Sequence, residues 1–270
     1  MPFAKYNEQS IYYEVHGSGE VLVILNGVMM SHLSWQMFLP ELTKNHQVIL
    51  LDFFDQGKSD KMDRDYSQDI QVEAVKAVIE DLKLEKVNLL GISYGGEVAI
   101  QFALKYPSLL KRLLLFNTTA YTSPWLQDIG KGWVQAAKIY SGEMFYNITI
   151  PIIYSPGFYT KSMDWMNQRK DFLYSVFTEE FLNATIRLIN SAENLDLRDR
   201  LGEIEVDTLV VSSDTDFVTP ATEQEFIHQK IPGSTYLEIK NCGHASMYER
   251  PDEFITIVKG FLAREVKRSQ

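Results

Sequence analysis

One serine in this chain of 270 residues stands in a context that suits covalent chemistry. Ser93 is the central residue of GISYG at 91–95, a G-x-S-x-G pattern with an apolar run before it and a helical pattern after it. A serine on a sharp strand-to-helix turn exposes its hydroxyl, and small glycines beside it prevent steric clashes. We predict that Ser93 is a nucleophile; the alternative is a serine that only shapes a turn.

A serine hydroxyl needs a general base, and the base needs an acidic group that orients it. His244 follows a predicted strand at 234–240, so we expect it on a loop at the same sheet edge as Ser93. We predict that His244 is the base. The remaining histidines are expected to be ordinary surface or core residues. They are His16 and His32 near early turns, His46 before a strand, and His228 within a helix.

Two aspartates compete for the role of the orienting acid. A predicted strand at 207–214 leads into Asp214-Thr215-Asp216. Asp216 stands four residues before Pro220, at a turn into a helical segment, whereas Asp214 is nearer the strand end, where a carboxylate often caps a loop. Spacing alone leaves this choice open. Either aspartate gives the chain order serine, acid, histidine that enzymes with this nucleophile turn use.

Acyl transfer through a serine also needs two donors for the oxyanion. The backbone N–H of Tyr94, directly after the nucleophile, is the first candidate. The second is the backbone N–H of Val28, which follows the apolar run 21–27, with Gly27 allowing close approach. The alternative is that Asn26-Gly27 simply makes a turn.

The elements that must position these residues alternate along the chain. Short apolar runs at 21–27, 47–52, 86–93, 110–117 and 207–214 have the character of strands buried on both faces. Helical patterns occupy 68–85, 95–105 and 252–266. This order predicts an α/β fold, with a mainly parallel twisted sheet, helices on both faces and the catalytic loops at the carboxyl edge of the strands. The predicted core comprises 1–120 and 196–270.

The alternation stops over residues 121–195, which are rich in aromatic residues without strand-like periodicity. Pro151, Pro156 and Gly157 interrupt this segment. We predict a mostly helical insertion that forms a cap or lid over the sheet edge; the alternative is a set of packing helices with no gating role.

Composition excludes several classes of function. The net charge of -10 repels phosphate backbones, which argues against nucleic acid as a partner. Cys242 is the single cysteine and is expected to be a packing residue, and Asp52, Asp55 and Asp60 are interpreted as turn carboxylates. No metal or nucleotide motif is present, so no cofactor is expected. No apolar run has membrane-spanning length and no signal-peptide core is visible, so a cytoplasmic protein is expected; the oligomeric state stays open.

Over essentially its whole length the chain resembles the α/β-hydrolase superfamily. The resemblance rests on VLVILNG, LDFFDQGKSD, GISYGG, VVSSDTDFVTP and GHASMYERP in this order. In that family the acid normally precedes the proline of the fourth motif by four residues, which implies Asp216 rather than Asp214. Two departures stand out, because many relatives have His-Gly where this chain has Asn26-Gly27, and a glycine where it has Asp55.

The Asn-Gly pair, with an aromatic residue after the nucleophile, is similar to the acyltransferase branch that handles 3-hydroxyacyl chains on acyl carrier protein. Hydrolysis is the commoner outcome of this fold, so we expect a serine hydrolase that cleaves a small-molecule carboxylic ester or thioester with an apolar acyl group through an acyl-serine. One alternative is an acyltransferase that moves 3-hydroxyacyl groups from acyl carrier protein or CoA. The other is a non-catalytic ligand-binding protein of the same fold.

Overall fold

A computed structural model describes residues 2–265 and contains one eight-stranded sheet. The strands are β1 (Phe3–Tyr6), β2 (Gln9–Gly17), β3 (Glu20–Leu25), β4 (His46–Leu51), β5 (Val87–Ile92), β6 (Leu110–Phe116), β7 (Asp207–Ser213) and β8 (Thr235–Ile239). Their order across the sheet is β1-β2-β4-β3-β5-β6-β7-β8. Strands β1 and β2 pair antiparallel at one edge, and all neighbours from β4 to β8 are parallel. The predicted mainly parallel sheet is confirmed.

Eleven α-helices lie within residues 2–265. They are α1 (Leu39–Leu42), α2 (Asp69–Asp81), α3 (Tyr94–Lys105), α4 (Pro124–Ala137), α5 (Gly142–Ile153), α6 (Pro156–Lys161), α7 (Met163–Val176), α8 (Glu179–Ser191), α9 (Ala221–Lys230), α10 (Ser246–Glu249) and α11 (Pro251–Ala263). Three short 3₁₀ helices cover His32–Trp35, Pro107–Leu109 and Arg198–Glu203.

The central strands bury both faces because side chains alternate between two layers of helices. On β5, Leu89 packs into a cluster with Val72 of α2 and Val98 of α3. The next residue, Leu90, packs into the opposite cluster with Phe254 of α11. All six residues of β5 are buried, so the turn that carries Ser93 follows a strand packed on both faces.

Helices α4 to α8 all lie between β6 and β7 in the chain, within the segment 121–195 that the sequence analysis assigned to a cap. The ends of this segment meet in a bridge between Tyr121 and Asp196, where the Thr122 amide donates to the Leu195 carbonyl at 2.9 Å. The helices have their own apolar cluster, which includes Trp133, Phe145 and other large side chains. The division into core and cap stays a prediction.

Local sequence explains where these helices start. A hydroxyl at the N-cap accepts a backbone hydrogen bond from the first turn and satisfies an otherwise free amide. The N-cap residues of this kind are Ser123 (α4), Ser141 (α5), Ser155 (α6) and Thr178 (α8). Prolines at the first position of α4 and α6 add a preset helical φ angle.

A partly buried ion pair connects these helices to the core. The Arg187 guanidinium on α8 donates to both carboxylate oxygens of Asp55, at 2.6 and 3.0 Å. Asp55 adopts a φ of 70°, in the left-handed region, and is 4% exposed. Asp55, expected from the sequence to be a turn carboxylate, therefore also pairs with an arginine on a distant helix, and the sequence gives no sign of that partner.

Helix α3 approaches β3 so closely that only glycine fits between them. A Cβ on Gly95 would lie 2.5 Å from the Leu25 carbonyl oxygen, and backbone cannot move aside as a flexible side chain can. We expect Gly95→Ala to lower the free energy of unfolding by about 1–3 kcal/mol through overpacking. Urea denaturation followed by circular dichroism measures this change.

Gly132→Ala on α4 is the matched control. Its new Cβ would meet no atom of residues 2–265 within 4 Å, so replacing a helical glycine should leave stability unchanged or raise it by about 0.5–1 kcal/mol. Equal effects of the two substitutions would contradict the close-packing explanation.

Candidate active site

Ser93 occupies the turn between β5 and α3 in a strained backbone conformation. Its φ is 54° and its ψ is -124°, which a residue with a side chain rarely adopts. Such strain costs about 1–3 kcal/mol and persists only where the surroundings impose it. The Ser93 amide donates to the Phe116 carbonyl at 3.0 Å, and the Ser93 carbonyl accepts from the Thr118 hydroxyl at 2.7 Å. The turn is therefore held by the end of β6 and the loop that follows it.

The structure brings the predicted serine and histidine into contact. His244 lies on the loop after β8, and its Nε2 is 2.9 Å from Ser93 Oγ. The other ring nitrogen, Nδ1, is 2.8 Å from Asp216 Oδ2. Because carboxylates only accept, Nδ1 carries the proton and Nε2 is left to accept from the serine. This is the arrangement by which a serine hydroxyl loses its proton to a histidine.

Asp216 rather than Asp214 faces the histidine. Asp216 Oδ1 accepts from the Val218 and Thr219 amides at 2.8 and 2.9 Å, which fixes the carboxylate at the start of the next turn. Asp214 Oδ1 instead accepts from the Cys242 amide at 3.2 Å and connects the two loops. Geometry therefore agrees with the choice that the resemblance implied and that spacing left open.

A side chain that the sequence patterns did not identify also contacts this carboxylate. Asn117, directly after β6, donates through Nδ2 to Asp216 Oδ2 at 3.1 Å and to Ser213 Oγ at 3.0 Å. Its Oδ1 accepts from the Ser246 hydroxyl at 2.6 Å. The available signal was a polar residue at the end of an apolar strand, at the sheet edge where the other site residues were expected.

Both residues that are predicted to supply oxyanion donors lie near Ser93. Tyr94 is the first residue of α3, and Val28 lines the same two cavities as Ser93. A Cβ on Gly27 would be 3.6 Å from Ser93 Cβ, so the loop after β3 runs close to Ser93. Within residues 2–265, neither the Val28 nor the Tyr94 amide donates a backbone hydrogen bond.

Asn26, which stands where many relatives have histidine, has a structural role in the loop after β3. Asn26 Nδ2 donates to Gln56 Oε1 at 3.1 Å, and its Oδ1 accepts from Trp35 Nε1 at 2.7 Å. Gln56 Nε2 in turn donates to the carbonyls of Gly27 at 2.8 Å and Val28 at 3.2 Å. The Gly27 carbonyl and the Val28 N–H belong to the same planar peptide unit. The hydrogen bond from Gln56 to that carbonyl therefore also fixes the direction of the Val28 N–H. Gln56 was not identified from the sequence.

Two cavities meet at Ser93. The first, about 150 Å³, lies between α4 and α8 and is called the α4–α8 chamber. The second, about 90 Å³, is called the α7 chamber. Val28, Ser93 and Trp133 line both, while His244 lines only the α7 chamber. Further lining residues of the α4–α8 chamber include Leu126, Val134, Ile189 and Val218. Those of the α7 chamber include Tyr154, Arg169, Leu173, Phe177 and Tyr248.

Cys242 and the histidines other than His244 lie outside the contact between Ser93, His244 and Asp216. Cys242 is fully buried, and burial raises the pKa of its thiol to about 12, so it is a protonated packing residue. His32 contacts Asp52 at 2.7 Å in the core, and His228 stacks on Tyr236. His46 is the first residue of β4 rather than a residue of a preceding loop, which corrects the sequence-based placement.

Residues 2–265 contain no group of three or more histidine, cysteine or acidic side chains placed to hold a metal ion. Over the same residues, no helix has the length and apolar character that crossing a membrane requires.

A family model described as alpha/beta hydrolase fold matches residues 20–251. The chain belongs to this family. A crystal structure of an alpha/beta hydrolase enzyme from a Medee basin deep-sea metagenome library is 45% identical to this alpha/beta hydrolase, with a TM-score of 0.96 and 100% of both chains covered. The predicted fold class and superfamily are confirmed, and the chain is an enzyme of the hydrolase type.

This alpha/beta hydrolase is also similar to two bacterial proteins at lower identity. A putative 2-succinyl-6-hydroxy-2,4-cyclohexadiene-1-carboxylate synthase of Bacillus subtilis (strain 168) is 29% identical over 262 residues, with 91% of each chain covered. A 2-hydroxy-6-oxononadienedioate/2-hydroxy-6-oxononatrienedioate hydrolase of Escherichia coli (strain K12) is 28% identical over 269 residues, covering 94% of this chain and 91% of the other.

The two aspartates of the loop after β7 allow a matched test. Asp216→Asn should lower kcat about 10³- to 10⁴-fold, because an amide can donate to His244 Nδ1 and favour the wrong tautomer. Asp214→Asn keeps an oxygen that accepts from Cys242 and should change kcat only a few-fold. Steady-state kinetics on a p-nitrophenyl ester compares them. A larger loss of kcat in Asp214→Asn than in Asp216→Asn would show that Asp214, not Asp216, is the orienting acid.

Glu97, one turn after Ser93 on α3, makes stability depend on pH. Burial raises the pKa of its carboxyl to about 8 from 4.5, opposed by a hydrogen bond from Gln68. Between about pH 4.5 and 8 the folded protein keeps a proton that the unfolded chain has released, so rising pH lowers the free energy of unfolding through this window.

Glu97→Gln removes this titrating group. The advantage in unfolding free energy of the variant over the original protein should therefore grow between pH 5 and pH 8, with a slope of at most about 1.4 kcal/mol per pH unit. Urea denaturation at several pH values measures the difference. Parallel stability profiles for the two proteins would show that Glu97 is already ionised in the folded state.

Proposed function

We propose that this enzyme is a serine hydrolase that cleaves carboxylic esters or thioesters with an apolar acyl group through an acyl-serine intermediate. The observation that carries the proposal is the continuous contact from Ser93 through His244 to Asp216, at the point where two largely apolar chambers meet. The same contact makes Ser93, His244 and Asp216 the proposed catalytic residues.

The reaction begins when His244 Nε2 takes the proton of Ser93 Oγ as the oxygen attacks the substrate carbonyl carbon. The C=O electrons move to the oxygen, and the tetrahedral oxyanion accepts from the Val28 and Tyr94 amides. Asp216 stabilises the imidazolium. When the intermediate collapses, the leaving oxygen or sulfur takes the proton from His244. Water then attacks the acyl-serine by the same steps and regenerates Ser93.

The proposed oxyanion donors supply a large part of the rate. Removal of one such donor typically costs 10²–10³ in kcat, about 2.7–4 kcal/mol. Tyr94 lies at the N-terminus of α3, where free amides and the helix dipole favour negative charge. The Gln56 side chain holds the other donor loop in position, so less reorganisation is needed as the oxyanion forms.

The apolar lining of the α4–α8 chamber supports an apolar acyl group. Leu126, Trp133 and Ile189 contribute to it from two helices of the 121–195 segment. We propose that this segment acts as a cap, because it supplies most of the surface that would contact the substrate. The proposed partner is a small molecule.

A fluorophosphonate probe should label the enzyme at Ser93, and Ser93→Ala should abolish the labelling. Ser175→Ala, on the exposed side of α7, is the matched control and should label normally. With medium-chain p-nitrophenyl esters, rapid mixing should show a burst of p-nitrophenol equal to the enzyme concentration if deacylation is slow. An unlabelled original protein would contradict the proposed nucleophile.

The fate of the acyl group separates hydrolysis from transfer. When 3-hydroxyacyl-acyl carrier protein is supplied together with CoA, the proposed hydrolase should release free acid. Formation of acyl-CoA without free acid would replace the hydrolase proposal with the acyltransferase, in which acyl carrier protein and CoA are partners.

A further inference from the structure

A positively charged side chain lines the α7 chamber together with the proposed nucleophile. Arg169 projects from α7 into the lining that also includes Ser93 and His244. No acidic residue of the described chain contributes to this lining, which is otherwise aliphatic, aromatic and thioether surface. A guanidinium stays protonated at any physiological pH, so the chamber carries a permanent positive charge.

The Arg169 guanidinium makes cation–π contacts with two aromatic rings. The guanidinium carbon lies 4.3 Å from the centroid of the Tyr248 ring and 5.2 Å from that of Trp165. The Trp165 ring also makes an edge contact with Tyr154, which completes an aromatic box. The hydroxyls of Tyr154 and Tyr248 also interact with the guanidinium, but they are not carboxylates and leave its positive charge without a counterion.

Among residues 2–265, Arg169 lacks the carboxylate partner that Arg112 and Arg187 have. Arg112 is 2.7 Å from Glu20, and Arg187 is 2.6 Å from Asp55. Within residues 2–265, no carboxylate lies within 4.0 Å of the Arg169 guanidinium, and its buried Nε has no hydrogen-bond partner. A partly desolvated charge without a counterion is costly unless an anion binds there during function.

We propose that Arg169 binds a carboxylate of the substrate, so that the preferred ester or thioester is one that carries a second, free carboxylate. The inference rests on the proposed function for the bond that is cleaved and adds the chemical class of the molecule. A planar carboxylate matches the parallel N–H donors of a guanidinium, and the surrounding rings exclude water and strengthen the pair.

A carboxylate fits this chamber better than a phosphate does. The chamber measures about 90 Å³ and offers one cation. A phosphate monoester carries nearly two negative charges at pH 7, and the second would be buried among apolar side chains without compensation. One cation in apolar surroundings therefore selects a single negative charge.

The kinetic test uses matched substrates that differ only in charge. Monoethyl esters of dicarboxylic acids place a carboxylate on the acyl side, and acetate esters of hydroxy acids place it on the alcohol side. In the neutral counterparts a primary amide replaces the carboxylate. We expect at least one carboxylate series to exceed its neutral counterpart about tenfold or more in kcat/KM with the original enzyme, from charge-assisted hydrogen bonding.

Arg169→Met should lower kcat/KM for that carboxylate series about 10- to 100-fold and leave the neutral series within a few-fold. Arg169→Lys, which keeps the charge, should retain part of the preference. Lys170→Met on the same helix removes one positive charge outside the chamber lining and should behave like the original enzyme. Equal losses for charged and neutral substrates would assign Arg169 to aromatic packing alone and overturn the inference.

A binding measurement separates this inference from the proposed function. In the Ser93→Ala background, hexanoate should raise Tm and hexanamide should not, and Arg169→Met should remove the hexanoate effect. If no ester is cleaved while hexanoate still binds through Arg169, the hydrolase proposal fails and the carboxylate site stands. If neutral esters are cleaved without any carboxylate preference or hexanoate effect, the hydrolase stands and the inference is overturned.

Discussion

The strained backbone of Ser93 is the constraint on which the arrangement of this protein depends. A φ of 54° at a residue with a side chain is tolerated because β3, β6 and α3 all approach the turn within backbone contact. Glycines make those approaches possible: a Cβ on Gly96 would lie 2.5 Å from Thr118. The packing of the central sheet therefore sets the direction of one hydroxyl, and three loops at the same edge are placed around it.

The sequence predicted what depends on local patterns. Apolar runs and helical periodicity located the parallel strands, because strands buried on both faces require continuous apolar sequence. The short edge strand β1 was missed, since four residues with one buried side chain carry no such pattern. Ser93 and His244 were predicted from motif and position, whereas the choice of Asp216 needed family resemblance because Asp214 is chemically equivalent and only two residues away.

Residues that act through long-range contacts could not be predicted in the same way. Asn117, Gln56 and Arg187 meet partners that are 99, 29 and 132 positions away in the chain. Only the fold brings such pairs together, and a single sequence contains no trace of the pairing. The same holds for Arg169, whose proposed role follows from the lack of a carboxylate near it among residues 2–265 and not from its place in a helix.

The position of Ser93 between two chambers has a consequence for the order of events in turnover. In the proposed mechanism a substrate that spans this junction is divided there, and its two halves then lie in separate chambers. The half that leaves first can depart while the other half is still attached to Ser93, and the chamber it vacates can admit the second nucleophile. On this route the products leave in sequence, and the occupant of the emptied chamber decides which acceptor takes the acyl group.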